Sequence, residues 1–180
     1  MRRLLGLTLA LLALSAPALA QQPAARDPQN TVIMELKTGK VTIELRPDIA
    51  PKHVARVKQL VKEGFYNGIK FHRVIPGFMA QTGDPTGTGS GGSKYPDLPA
   101  EFTPTPFERG TIGAARTANP NSANSQFFIC FTHVPHLNGQ YTVWGRVVDV
   151  MTHIDALAKG EPPPTPDTIK KMYLLADAPK

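Results

Sequence analysis

From Thr31 onward the chain alternates. Val32, Met34 and Leu36, then Val41, Ile43 and Leu45, are separated by polar or exposed positions, and Lys37-Thr38-Gly39-Lys40 supplies a turn between them. That period of two predicts a hairpin with one buried face. Over "APKHVARVKQLVKEG" the period changes. Val54, Val57, Leu60 and Val61 fall on one helical stripe, Pro51 suits the first turn and Gly64 the C-terminal cap. "FHRVIPGFMAQTGD", residues 71–84, reads as strand, turn and strand. "RGTIGAAR", "SQFFICF" and "YTVWGRVV" read as further short strands. "VDVMTHIDALAKG" returns to helical period with Val150, Ile154, Leu157 and Ala158 aligned, and "EPPPTP" leads to a last strand, "IKKMYLLA". Many short strands with two helices predict a mainly β fold, an antiparallel sheet closed on itself with a helix at each open end.

The ends change the picture of what folds. Arg2 and Arg3, an uncharged Leu/Ala run from Leu4 to Leu14 and the small residues Ala18-Leu19-Ala20 have the layout of a secretory signal peptide cut after Ala20. The apolar run is shorter than the ~20 residues of a spanning helix, so no stable membrane anchor is expected. Residues 21–30 are polar and contain proline, a lead-in to a domain over 31–176 with a tail at 177–180. Localisation is expected to be periplasmic or secreted. Removing Arg2 and Arg3 from the 20 basic side chains leaves 18 against 14 acidic ones, and the formal net charge drops from +6 to +4. The basic residues are scattered, which argues against nucleic acid as a partner. The single cysteine, Cys130, excludes an internal disulfide.

The chemistry the residues could carry is narrow. In the Gly-rich stretch, Gly87 and Gly92 have phosphate-loop spacing, but Ser93 stands where lysine is required. The five histidines, 53, 72, 133, 136 and 153, show no metal-ligand spacing. What remains is an apolar set, Phe71, Phe78, Met79, Phe127 and Phe128, interleaved with Arg73 and Gln81. Alternation gives Phe71 and Arg73 a shared face, and likewise Met79 and Gln81. Either Arg73 snorkels beside a core or it faces a groove, where neither it nor Gln81 needs a partner. The pattern alone leans slightly to the first.

At these residues the chain resembles the cyclophilin family of peptidyl-prolyl cis-trans isomerases. The likeness runs from "FHRVIPGFMAQTGD" through "GTGSGG", "NPNSANSQFFI", "LNGQYTVWGRVV" and "MTHIDAL", roughly Thr31 to Ala176, and the leader makes it look like an exported bacterial type. The resemblance implies a closed eight-stranded antiparallel barrel capped by two helices. It implies a catalytic Arg73 with His72 beside it, a proline pocket of Phe78, Met79, Phe128 and Leu137, and a substrate-ordering Gln81. His136 stands where many members have tryptophan and Tyr141 where many have histidine, both at the part of the site that binds cyclosporin. The loop "AARTANPNSAN" is about one residue longer than the common form, which leaves open which of Ala115 to Ala118 lines the groove.

The activity implied is cofactor-independent, non-covalent isomerisation of X-Pro bonds in proline-containing, folding exported polypeptides, by a monomer. A pocket that only binds Pro-containing segments is the alternative. It needs the apolar residues but not Arg73.

Overall fold

The structure, a computed structural model, describes residues 26–178, so the expected leader and the first half of the lead-in lie outside the described residues. Eight strands, β1 (Thr31–Glu35), β2 (Lys40–Leu45), β3 (Arg73–Ile75), β4 (Met79–Thr82), β5 (Thr111–Ala114), β6 (Phe127–Cys130), β7 (Val143–Asp149) and β8 (Lys171–Leu174), join two helices, α1 (Pro51–Lys62) and α2 (Thr152–Asp155). The strands form one antiparallel sheet in the order β3-β4-β6-β5-β7-β2-β1-β8.

The expected closure of the barrel is corrected. The ladder ends at β3 and β8, which do not pair, and the sheet is a curled half-barrel. Only isolated bridges, Lys70↔Thr168 and Val74↔Gly160, cross the seam. The cause is local. β3 is three residues long, and the facing stretch carries Pro162, Pro163, Pro164 and Pro166, which have no N–H to donate to a ladder.

The hairpin and α1 form where their periodicities predict, but the hairpin buries more than the one expected face: Thr31, Ile33 and Thr42 are covered as well. Val54, Val57, Leu60 and Val61 are all buried. The second helix is shorter than expected. β7 continues to Asp149, Val150 turns at φ 58° and is exposed, and a single turn follows over Thr152–Asp155.

Two apolar clusters lie on opposite faces of the sheet. Along β6, Phe127 and Ile129 enter a large core with Val32, Ile43, Leu60 and Trp144, while Phe128 and Cys130 enter a smaller one with Met79, Phe107, Leu137 and Val143. Burial on both faces is why "QFFICF" reads as an unbroken apolar run.

Ala50 offers no cap to α1, and a distant carboxylate replaces it. Glu101 accepts from the backbone N–H of Lys52 (3.0 Å) and His53 (3.0 Å) and from His53 Nδ1 (2.6 Å). Both side chains are nearly covered, 4% and 11% exposed. Burial pushes the His53 imidazole below its ordinary value despite the carboxylate beside it. The ring is therefore neutral near pH 7, and its unpartnered Nε2 is a lone pair. Burial opposes the charge on Glu101, but hydrogen bonds from His53 and the two amides hold its carboxyl below the usual range. Both groups bind protons more readily once unfolded, so both contribute stability that is lost as pH falls. Tm is expected to be flat above about pH 7 and to fall as pH drops through about 6.5, the unfolded histidine value, toward 4. Glu101→Gln should lower Tm at pH 7 by about 4–8 °C, the equivalent of ~2 kcal/mol for a hydrogen-bonded charge. Calorimetry across pH checks this, and a pH-independent Tm would contradict it.

Candidate active site

The hairpin β3–β4 sets the site. Its register places Arg73 directly opposite Gln81, with Val74 against Ala80 and Ile75 against Met79. Alternation then sends Ala80 to the main core and Met79 and Gln81 to the other face. β4 pairs with β6 so that Gln81 faces Phe128. Above this face lies a cavity of about 120 Å³ lined by Arg73, Gln81, Phe78, Met79, Phe128, Leu137 and Tyr141, with Ala115 and Arg116 closing one wall.

The apolar floor is fixed by its own packing. Phe128 stacks on Phe107 (centroids 5.5 Å, 25°) and meets Tyr141 edge-on (5.5 Å, 88°). Behind it stands Gly113, where a Cβ would lie 2.4 Å from Phe128 Cζ and 2.7 Å from Phe107 Cε1. A side chain there would drive the Phe128 ring toward the cavity.

Both polar groups have one partner, which corrects the expectation that neither needs any. Arg73 donates from Nε to Glu161 Oε2 at 3.0 Å, with side chains 40% and 51% exposed. Gln81 donates from Nε2 to Gln126 Oε1 at 2.9 Å, and Gln126 donates in turn to the carbonyls of Gly89 (3.0 Å) and Gly91 (2.8 Å). The Nη groups of Arg73 make no hydrogen bond among the described residues.

The Gly-rich loop is a wall. The Asp84 carboxylate accepts from the backbone N–H of Thr86 (2.7 Å), Thr88 (3.0 Å) and Gly89 (2.6 Å). Burial alone would raise its pKa, but the Thr86 hydroxyl (2.8 Å) and the backbone N–H groups of Thr86, Gly91 and Gly89 hold it far below the usual carboxylate range. The loop bounds a second cavity of about 480 Å³ that shares Gln81, Ala115 and Arg116 with the first.

Of the residues singled out from the sequence, Arg73, Phe78, Met79, Gln81, Phe128, Leu137 and Tyr141 come together. His136 is exposed on the turn Pro135–Leu137, its ring 5.9 Å from that of Phe78, at the rim. His72 does not line the cavity. It is buried beneath the Gly-rich loop near Gly89, with neither ring nitrogen partnered, and burial keeps its pKa low against the pull of Asp84. Phe71 and Phe127 also belong to the main core.

Two neighbours, Gln126 and Glu161, were missed, and a third, Arg116, falls in the stretch Ala115 to Ala118 that the sequence leaves open. Gln126 sits two before Phe128 and so shares its face, a signal that alternation carries. Arg116 lies with its guanidinium carbon over the Tyr141 ring (4.5 Å to the centroid) and donates to the carbonyls of Gln140 and Thr117. With Ala115 it settles which part of the loop lines the groove. Glu161 lies 88 residues from Arg73 and carries no sequence signal.

Among the described residues no group of three or more His, Cys, Asp or Glu side chains could hold a metal.

Comparison with known proteins places the chain among relatives. A family model described as cyclophilin-type peptidyl-prolyl cis-trans isomerase matches residues 31–174. A Brucella suis protein named "Probable peptidyl-prolyl cis-trans isomerase" is 56% identical over 184 residues, covering 93% of each chain. A crystal structure of a cyclophilin from Hirschia baltica is 31% identical, with TM-score 0.79, covering 86% of this chain and 77% of that one. A Cryptosporidium parvum cyclophilin-type isomerase, crystallised in the presence of the dipeptide Ala-Pro, is 30% identical with TM-score 0.75, covering 80% of this chain and 98% of that one.

Proposed function

This chain belongs to the cyclophilin-type peptidyl-prolyl cis-trans isomerase family and is such an isomerase, and on that premise we propose that its reaction takes place in the 120 Å³ cavity, with Arg73 as the catalytic residue. The observation that carries this reading is the pairing of Arg73 and Gln81 across one register position, at the edge of an apolar floor made by Met79 and Phe128.

An X-Pro bond rotates against a barrier of ~20 kcal/mol over tens of seconds or more. The barrier is amide resonance. As the bond twists, conjugation is lost and the proline nitrogen gains a free lone pair. A donor aimed at that nitrogen stabilises the twisted form and gives the planar form little. The Arg73 guanidinium is always charged and only donates, and its Nη edge is the one not held by Glu161. Phe78, Met79, Phe128 and Leu137 hold the proline ring, with Tyr141 and His136 at the rim. Gln81, braced by Gln126, holds the peptide carbonyl so that one side of the bond turns while the other stays fixed. No covalent bond is made or broken. Bringing minutes down to ~10 ms needs about four decades, ~5–6 kcal/mol, within reach of a few charge-assisted hydrogen bonds.

The substrates in this reading are X-Pro bonds of polypeptides that fold after export. Its support is the leader-like start and the Ala18-Leu19-Ala20 site, with cleavage leaving Gln21 as the N-terminus in the periplasm or medium. Mass spectrometry of exported protein checks this. The expected species lacks residues 1–20, and a full 19.5 kDa chain in that fraction would contradict it. The assay for the activity is protease-coupled isomerisation of an X-Pro peptide, expected to be saturable and to respond to the cavity residues.

A further inference from the structure

Glu161 stands outside the cavity lining, yet it is the one described partner of Arg73. Its position is built with care. The edge strand β3 spends both outward-facing hydrogen bonds of Val74 on Gly160, N–H to carbonyl at 2.8 Å in one direction and 2.9 Å in the other. Phe71 N–H donates to the Asp167 carbonyl at 2.9 Å, and the amide of Ala158 donates to the Asp167 carboxylate at 2.8 Å. The turn from Ala158 to Asp167 is thereby closed on itself and pinned to the strand that carries Arg73. Gly160 has φ +145°, and a Cβ there would lie 2.6 Å from Pro163 Cα, so the turn that presents Glu161 requires glycine.

We propose that Glu161 is a positioning residue for the isomerase reaction: its carboxylate holds the Nε side of the Arg73 guanidinium and directs the free Nη edge into the groove. This rests on the reading of Arg73 as the catalytic group. An arginine side chain has many rotamers, and a donor that acts only on the twisted peptide must be in place when the bond turns. One charge-assisted bond at Nε fixes the plane of the fork without using the Nη donors. An ion pair this exposed contributes little to folding, so its effect should be read in the rate rather than in stability.

The test is a kinetic cycle on an X-Pro peptide with Tm measured alongside. Glu161→Ala should lower kcat about five- to tenfold, with KM within about twofold and Tm nearly unchanged. Glu161→Gln keeps an acceptor at the same reach and should restore kcat to within about twofold of the unmodified protein. In an Arg73→Ala background, Glu161→Ala should change nothing further, because the group it positions is gone. The proposal is overturned if Glu161→Ala leaves kcat unchanged or raises it, or if its loss persists in the Arg73→Ala background. A different result, Arg73→Ala alone without effect, would overturn the reading of Arg73 itself. The two failures are thus distinct. If the turn proves sensitive to alanine, a Glu161→Gln variant that is folded yet as slow as Arg73→Ala also counts against the proposal.

Discussion

Arg73→Ala is expected to lower kcat by about two to three decades, in line with loss of a transition-state donor worth ~3–4 kcal/mol. KM for a Pro-containing peptide should barely move, because the planar ground state gains little from the guanidinium. Arg73→Lys should recover only part of the rate. A flexible ammonium does not reproduce the planar fork, and it lacks the Nε–H that meets Glu161. The Arg73 side chain is 40% exposed and belongs to neither apolar cluster, so stability should change by no more than about 0.5 kcal/mol. A folded variant that turns over at the original rate would return Arg73 to the plainer role of a surface arginine. Paired kcat and KM measurements decide between them.

Phe128→Ala should act on the other term. It removes the cavity floor and a ring that packs on Phe107 and Tyr141. Phe→Ala in a core costs about 3–5 kcal/mol. Here the space opens onto the groove and water can enter it, which points to about 3 kcal/mol and a Tm loss of roughly 6–12 °C. The proline ring loses apolar surface to bury, and peptide affinity should fall about ten- to a hundredfold. Gly113→Ala probes the same contact from behind. The added methyl, 2.4 Å from Phe128 Cζ in the unrelaxed geometry, must push the ring forward and narrow the pocket without truncating it. Calorimetric titration of a Pro-containing peptide checks both variants. Unchanged affinity in folded Phe128→Ala would place the proline elsewhere.

The contrast between what the sequence carries and what it hides follows from the range of the interactions. α1 was legible because a 3.6-residue stripe in one local stretch, Val54 to Val61, is what it buries. The β3–β4 hairpin was legible for the same reason, and its register brings Arg73 and Gln81 together without help from distant residues. Alternation failed where no strand exists. Phe71 precedes β3, so its assumed shared face with Arg73 had no basis, and it turns into the main core at 0% exposure. The second helix was overread because an apolar periodicity cannot reveal that β7 continues to Asp149 and that Val150 takes a positive φ. Closure of the sheet depends on whether two stretches some ninety residues apart can exchange hydrogen bonds, and the prolines after Glu161 prevent a ladder there. Glu161 itself was invisible because nothing in "GEPPPTP" indicates which residue across the seam it meets.

The most direct measurement of the central claim is cis/trans exchange of an X-Pro peptide while bound, followed by exchange NMR at saturating enzyme. With the unmodified protein, the bound cis and trans signals should interconvert on the order of 10 ms, about four decades faster than the free peptide. With Arg73→Ala, both isomers should still bind and the bound exchange should slow by about two to three decades. Bound exchange that is as fast in Arg73→Ala as in the unmodified protein would contradict the account, since rotation would then proceed in this groove without the donor assigned to it.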